Sequence, residues 1–272
     1  MRFALLGSGS AGNATLVARG ADALLVDCGL SLRQLEARAR ALDFDLRQVR
    51  AILLTHEHDD HAAGAAALSV KYRIPIMASC GTLAALGDLP ARAWGCEALL
   101  PERLESCAGF EFRPILVPHD AREPCQFVIG DGTHRLGILT DLGHVTPHVE
   151  AAMRELDALV LEFNHDPQRL ATSAYPAPLR ARIASAYGHL SNPQAAALLT
   201  AVAHPGLRRV VAAHLSEKTN TPAEVANVLG ASVTTPWSIA TQHTPSPWFV
   251  VDRAPRSDAL RADISASLNC AS

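Results

Sequence analysis

The 272-residue chain is 49% hydrophobic and carries a formal net charge of −3. A chain of this length and composition can bury a large core without disulfides or structural metals. Its charge lacks the basic excess of proteins that bind nucleic acid strongly and non-specifically. The six cysteines form no C-x-x-C pair, and neither a signal peptide nor a run of about 20 apolar residues occurs. We therefore expect a cytoplasmic protein with reduced thiols and no membrane association.

Short apolar runs bounded by turn residues predict strands through the first half of the chain. They lie at 3–6, 14–18, 23–27, 51–55, 75–78, 111–117, 126–130 and 134–140. Helical spacing predicts a helix opened by Ser31, with Gln34 at capping-box distance, and a second helix over 62–72. Two more strands, at 158–162 and 209–213, flank a helix that starts at Asn192-Pro193.

This order of elements predicts an α/β fold in which two sheets pack face to face with helices outside. No stretch rich in Pro, Gly or Ser divides the chain, so we expect one hydrolase domain over residues 1–253. Periodicity is lost beyond this range, which indicates a frayed tail over 254–272.

The segment from Gly7 to Gly12 fits the G-x-G-x-x-G pattern of dinucleotide-binding proteins, and Asp27 follows at about the expected distance. That pattern needs a helix directly after the glycines to hold a pyrophosphate. Here 14–18 is a predicted strand and another strand begins by Ala23, which leaves no room for a helix. The glycines therefore predict a tight loop between two strands, close to a ligand.

A dense cluster of metal-ligand residues follows the predicted strand 51–55. It reads His56-Glu57-His58-Asp59-Asp60-His61. Neutral imidazole and carboxylate are natural ligands for Zn²⁺, Mn²⁺ and Fe. His56 and His58 can face one metal, while Asp60 and His61, past the turn, can face a neighbouring one.

Three further strands end at residues of the same kind. His119 follows 111–117, Asp141 follows 134–140, and His214 follows 209–213. Taken singly, each has an ordinary explanation as a capping Asp or a surface His. Ligand-type residues at four strand ends instead predict a two-metal hydrolase site.

The order of these motifs resembles the metallo-β-lactamase fold superfamily over most of the chain, which implies an αββα sandwich with the metals at its edge. The resemblance implies one metal held by His56, His58 and His119. It implies a second held by Asp60, His61 and His214, with Asp141 bridging the two. Asp27 matches a superfamily aspartate that orients the ligand loops without binding metal.

A closer resemblance is to the YycJ/WalJ branch of that superfamily. It rests on Gly7–Asn13, His119–Ala121, Glu162–Asp166, Gly188–Asn192 and His214–Glu217. That branch implies 5′-to-3′ exonuclease activity on double-stranded DNA, with a role in mismatch repair and DNA as the partner. The Gly188-His189 segment also resembles a helix start of tRNA-processing ribonuclease Z.

Two more residues complete a mechanism in which Asp60 and Asp141 position the attacking water. His189 is predicted to protonate the leaving 3′-oxygen as a general acid, with Glu162 holding its other ring nitrogen. The ordinary readings are a solvated histidine at a helix start and a surface carboxylate at a strand end.

Two other classes of function stay open at this point. The fold also hosts hydrolases of small esters, thioesters, lactones or cyclic phosphodiesters, and the net charge of −3 favours these slightly. A metal-binding module without catalysis is the third reading. An arginine cluster from Arg169, Arg180 and Arg182 beside the site would favour a nuclease. The sequence leaves open the physiological metal and the oligomeric state, a homodimer included.

Overall fold

The computed structural model describes residues 1–251, and within them the chain forms two seven-stranded sheets. The first sheet has the strand order β14-β1-β2-β3-β4-β5-β6 and the second has the order β13-β12-β11-β10-β9-β8-β7. The first sheet consists of β1 (Arg2–Gly7), β2 (Ala14–Arg19), β3 (Asp22–Val26), β4 (Val49–Leu53), β5 (Ile76–Ser79), β6 (Cys96–Leu99) and β14 (Phe249–Val250). The second consists of β7 (Glu105–Cys107), β8 (Phe110–Leu116), β9 (Cys125–Gly130), β10 (Arg135–Leu139), β11 (Ala158–Glu162), β12 (Arg209–Ala213) and β13 (Trp237–Ile239).

Each sheet is antiparallel on one side and parallel on the other. Strands β3 to β6 run parallel in the first sheet, and β10 to β13 run parallel in the second. Parallel neighbours require crossover connections, and helices provide most of them. The carboxyl ends of parallel strands meet at one edge, which is where a site assembled from strand-end residues has to lie.

The helices are short and lie between the strands. They are α1 (Leu32–Ala41), α2 (Asp59–Ala62), α3 (Ala65–Tyr72), α4 (Cys80–Ala85), α5 (Leu89–Arg92), α6 (Pro147–Ala152), α7 (Pro167–Thr172), α8 (Ala177–Ile183), α9 (Asn192–Val202) and α10 (Pro222–Ser232), with a 3-10 turn at Leu46–Gln48. No helix within residues 1–251 is long and apolar enough to cross a membrane.

Three apolar clusters define the layers. The central one joins the facing sides of both sheets and includes Phe3 from the first sheet and Phe112 and Phe127 from the second. A second cluster packs the outer face of the first sheet against α1 and α3. The third packs the outer face of the second sheet against α6, α9 and α10. The predicted αββα sandwich is therefore confirmed.

The capping box at Ser31 is present, with the Ser31 side chain and Gln34 bonding reciprocally. The single helix over 62–72 is wrong, because the chain forms α2 and then restarts as α3. Gly64 interrupts it by donating its N–H to Cys28 O, and a Cβ at Gly64 would lie 2.0 Å from Leu30 O. The loop after Gly7 connects antiparallel β1 and β2, as predicted. The one-domain assignment stays a prediction, and the tail at 254–272 lies outside the described residues.

Candidate metal centre

The cluster of ligand-type residues after β4 contains a tight turn at the start of α2. His56 is fully buried at the end of the strand, and His58 occupies the N-cap position of α2. The His61 N–H donates to His58 O, which closes a tight turn. The His56 ring centroid lies 4.6 Å from that of His58 and 4.2 Å from that of His61. The division of this cluster between two metals stays a prediction.

Three imidazoles form the first ligand group. His56 Nε2 lies 3.0 Å from His58 Nδ1, and the His119 ring is 4.9 Å from the His56 ring between centroids. His119 Nδ1 donates to the Gly188 carbonyl at 3.0 Å, so the ring is turned with Nε2 toward the other two imidazoles. Burial lowers the pKa of His56 and of His119, which keeps both rings neutral and able to bind a metal.

The second group contains a carboxylate and two imidazoles. Asp60 Oδ2 lies 3.5 Å from both His61 Nε2 and His214 Nε2. Asp141 sits between the groups, with Oδ2 2.9 Å from His61 Nε2 and Oδ1 4.0 Å from His119 Nε2. The seven predicted ligands thus meet at one edge of the sandwich, and Asp141 reaches both groups.

The donor set fits a pair of divalent metals. Ligands about 2.0–2.2 Å from one ion lie roughly 3–3.5 Å from each other, which matches the contacts within each group. The buried ligand atom His119 Nε2 makes no hydrogen bond within residues 1–251, and the buried Asp141 Oδ2 has only the His61 imidazole beside it, at 2.9 Å. Buried polar atoms without partners are costly, and a cation between the groups would satisfy both. Each position would have two or three imidazoles and one or two carboxylates, and such a nitrogen-rich set suits Zn²⁺, Mn²⁺ or Fe.

Two carboxylates outside these groups fix the orientation of the ligand rings. Asp27 Oδ2 accepts from His61 Nδ1 at 2.8 Å, and its Oδ1 accepts from the Thr55 N–H and hydroxyl, each at 2.9 Å. Glu162 Oε1 lies 2.7 Å from His189 Nδ1 and 3.2 Å from His214 Nδ1. A carboxylate on the far nitrogen of a metal-binding His fixes its tautomer and raises its basicity.

The charges of this cluster stabilise one another. Burial by itself lowers the pKa of a histidine, yet Asp141 and further carboxylates raise the pKa of His61 well above its usual value and that of His214 to about 10. Burial also opposes ionisation of Glu162, but the His189 imidazole holds the pKa of this carboxyl at about 2. The raised pKa values of His61 and His214 favour protonated rings, whose protons an incoming metal has to displace.

Strained backbone turns three site residues inward. Asp27, Asp141 and His214, each following a strand, have φ of 60°, 56° and 54°. The left-handed conformation is unfavourable for residues other than glycine and clusters at functional sites. It redirects each side chain from the strand axis into the sandwich edge.

Sequence reasoning missed residues that act only by holding others. Asn13 donates from Nδ2 to Asp60 O at 3.2 Å and lies 3.0 Å from His61 Nε2. Thr55 Oγ1 lies 2.9 Å from His56 Nδ1 and 3.3 Å from His61 Nδ1. The glycine-rich loop before Asn13 was the available sign, because it predicts a close approach to a ligand. Nothing in the sequence singles out Thr55.

Geometry also places His189 among the candidate ligands. Its Nδ1 lies 3.2 Å from Asp141 Oδ1, and it forms a potential metal-binding group with Asp141, Glu162 and His214. The pairing of its Nδ1 with Glu162 at 2.7 Å favours a role as an acid over a role as a ligand. The assignment stays a prediction.

The three arginines named from the sequence have different surroundings. Arg182 Nε pairs with Asp120, whose other oxygen lies 3.4 Å from His119 Nε2. Arg180 instead donates to two carbonyls of the preceding loop, and Arg169 pairs with Glu224. The structure thus brings one of the three, Arg182, to the rim of the metal centre.

Comparison with known proteins agrees with this geometry. The family model described as "Beta-lactamase superfamily domain" matches residues 23–215. This range contains β4 to β12, all of β3 except Asp22, and all seven candidate ligands.

The chain is also similar to named relatives. It is 32% identical over 224 residues to exodeoxyribonuclease YycJ of Bacillus anthracis, covering 81% of this chain and 84% of that protein. It is 27% identical over 223 residues to exodeoxyribonuclease WalJ of Streptococcus pneumoniae, covering 80% and 83%. Among solved structures, the metallo-beta-lactamase fold protein YhfI of Bacillus subtilis superposes with a TM-score of 0.71 at 18% identity, covering 90% of this chain and 98% of that one.

Proposed function

This chain belongs to the β-lactamase superfamily and is a metal-dependent hydrolase of the metallo-β-lactamase fold, and from that premise we propose that it is a two-metal 5′-to-3′ exonuclease of double-stranded DNA. The relatives named exodeoxyribonucleases support a nuclease. The carboxylate Asp141, lying between two groups of ligand atoms, carries the proposal for two metals.

The metal ligands proposed are His56, His58 and His119 for one ion and Asp60, His61 and His214 for the other. Two cations bound there would polarise a phosphoryl oxygen, activate water and stabilise the leaving oxygen. Asp141 would hold both sides of the centre at a fixed separation. The partly exposed Asp60 would orient the attacking water by accepting one of its protons in a hydrogen bond.

Glu162 and His189 would complete the reaction by handling the proton of the leaving group. Burial opposes a charge on His189, but Glu162 and Asp141 raise the pKa of its imidazole, which favours the protonated ring that a general acid needs. Glu162 accepts from Nδ1 and so leaves Nε2, the other nitrogen, to donate to the leaving 3′-oxygen.

The cellular role that we propose is strand removal during DNA repair, in the cytoplasm. Removal of one strand from its 5′ end is a step that repair of a duplex requires. The five cysteines of residues 1–251 are all unpaired thiols, which supports a reducing compartment.

A digestion assay tests the substrate and the polarity together. Protein loaded with Mn²⁺ or Zn²⁺ is incubated with duplex DNA labelled at either the 5′ or the 3′ end, and in parallel with RNA, a thioester, a lactone and bis-p-nitrophenyl phosphate. We expect early release of the 5′ label as a mononucleotide, with the 3′ label retained in long products.

The matched variant is Asp141→Asn, which preserves the size of the side chain and removes its charge. It should lose the DNA activity of the parent protein. Brisk hydrolysis of lactone or thioester with duplex DNA left intact would contradict the proposal and favour a small-molecule hydrolase.

A further inference from the structure

An exposed aromatic ring stands on the rim of the metal centre. Tyr187 is 59% exposed and lies two residues before His189, in the loop between α8 and α9. Tyrosine normally buries most of its apolar surface. A single exposed ring is common on protein surfaces, so what points to a ligand is the set of contacts that fix this ring beside the metal centre.

The loop that carries Tyr187 is anchored by the loops that carry metal ligands. The Tyr187 carbonyl accepts from the N–H of Asp120, the residue directly after His119, at 3.0 Å. The Tyr187 Cα packs closely on Gly143, since a Cβ added at Gly143 would lie 2.5 Å from it. Tyr187 is thus held between the loop of His119 and the loop of Asp141.

A cation shares the same anchor. Arg182 is 55% exposed, and its Nε pairs with the Asp120 carboxylate. Within residues 1–251 its two η nitrogens have no hydrogen-bond partner, so they can donate to a phosphate. The pairing with Asp120, with a smaller contribution from Asp60, raises the pKa of Arg182 and keeps the guanidinium charged beside the centre.

We propose that Tyr187 and Arg182 form a nucleotide-binding subsite in which a base of the substrate strand stacks on the Tyr187 ring and a neighbouring phosphate pairs with Arg182. Asp120 contacts both residues, so a planar ring and a cation are held by the same residue and match the base and the phosphate of one nucleotide. The subsite rests on the proposed function, because it presupposes a nucleic-acid substrate. It adds a reason for end recognition, since only an unstacked base at a strand end offers its face to a protein ring.

Binding is measured by fluorescence anisotropy with the metal-loaded protein, on probes whose terminal linkages are phosphorothioates so that cleavage is suppressed. The probes are duplexes with a short 5′ overhang labelled at the far end, carrying either normal nucleotides or abasic sites in the overhang. Stacking on one aromatic ring changes affinity by about 5- to 140-fold. We expect the parent protein to bind the abasic probe more weakly by a factor in this range.

Tyr187→Ala should bind both probes equally, at the weaker level. Tyr187→Phe should behave as the parent, whereas Tyr187→Leu, apolar but without a π face, should behave as Tyr187→Ala. The control is Trp94→Ala. Trp94 is similarly exposed at 56% but precedes β6, at the sheet edge opposite the metal centre.

Arg182→Gln should lower the slope of log Kd against log salt by about 0.7–0.9, the effect of losing one phosphate contact. Arg47→Gln, which removes an exposed arginine paired with Asp45 at the opposite edge, should leave the slope unchanged. A Tyr187→Ala or Tyr187→Leu protein that still discriminates normal from abasic DNA as the parent does would overturn the subsite. A metal-loaded parent protein that neither binds nor digests DNA would instead overturn the proposed function itself.

Discussion

Replacing Asp27 by Asn should weaken the second metal position without unfolding the protein. The Asp27 carboxylate is 3% exposed and accepts three hydrogen bonds, one from His61 and two from Thr55. An asparagine keeps the shape and tolerates the φ of 60°. Its amide has one acceptor end only, so either the His61 ring or Thr55 loses its acceptor.

The size of the effect follows from that lost contact. Leaving one buried donor without an acceptor costs about 1–3 kcal/mol. Carboxylates behind a metal-binding His change metal affinity by about 10- to 100-fold, which is equivalent to about 1.4–2.7 kcal/mol. We therefore expect the Zn²⁺ equivalent at the second position to lose 10- to 100-fold in affinity and the other equivalent to keep its affinity.

Competition with a chromophoric chelator measures both equivalents. The control is Asp22→Asn at the start of β3, the strand that Asp27 follows, because the partly exposed Asp22 carboxylate pairs with Arg50 and lies away from the ligands. It should bind Zn²⁺ as the parent does. An Asp27→Asn protein that retains two equivalents at the parent's affinity would refute the assignment of Asp27 as the residue that orients His61.

Three further predictions test other parts of the site. His189→Ala should keep both metals and its fold but lose about 10²- to 10⁴-fold in turnover of DNA. The loss should shrink for a p-nitrophenolate leaving group; loss of metal would make His189 a ligand. Gly29→Ala would place a Cβ 1.8 Å from the backbone oxygen of Asp60 and should abolish metal binding at the second position. Gly95→Ala, with no atom within 4 Å, should not, and equal metal content in both variants would contradict this. Because carboxylates raise the pKa values of His61 and His214, filling the second position near pH 7 should release protons. Zn²⁺ affinity should therefore rise with pH. Calorimetry in buffers of different ionisation enthalpy checks this, and zero release contradicts it.

The seven candidate ligands could be placed from the sequence because each follows a strand. Strands that run in the same direction end at the same edge of a sheet, and β8, β10 and β12 do so. His119, Asp141 and His214 therefore had to approach the cluster at 56–61 once the two-sheet arrangement was assumed. The structure brings them together, while the binding of metal by them stays a prediction. The capping pair of Ser31 and Gln34 was equally visible, because it acts within one turn.

Other features depend on distances that a sequence does not contain. Glu162 was expected to hold His189, but its contact with His214 joins residues 52 apart and arises only when β11 and β12 pair. In the same way, nothing in the spacing of Arg169, Arg180 and Arg182 distinguishes the rim arginine from the other two. The break at Gly64 is also tertiary in origin, because the neighbouring loop competes for its N–H.

The most direct test of the two-metal centre is anomalous diffraction from crystals grown with Zn²⁺ or Mn²⁺. We predict two peaks roughly 3.5–4 Å apart, one against His56, His58 and His119 and the other against Asp60, His61 and His214, with Asp141 between them. A single peak, or peaks away from these seven side chains, would contradict the account.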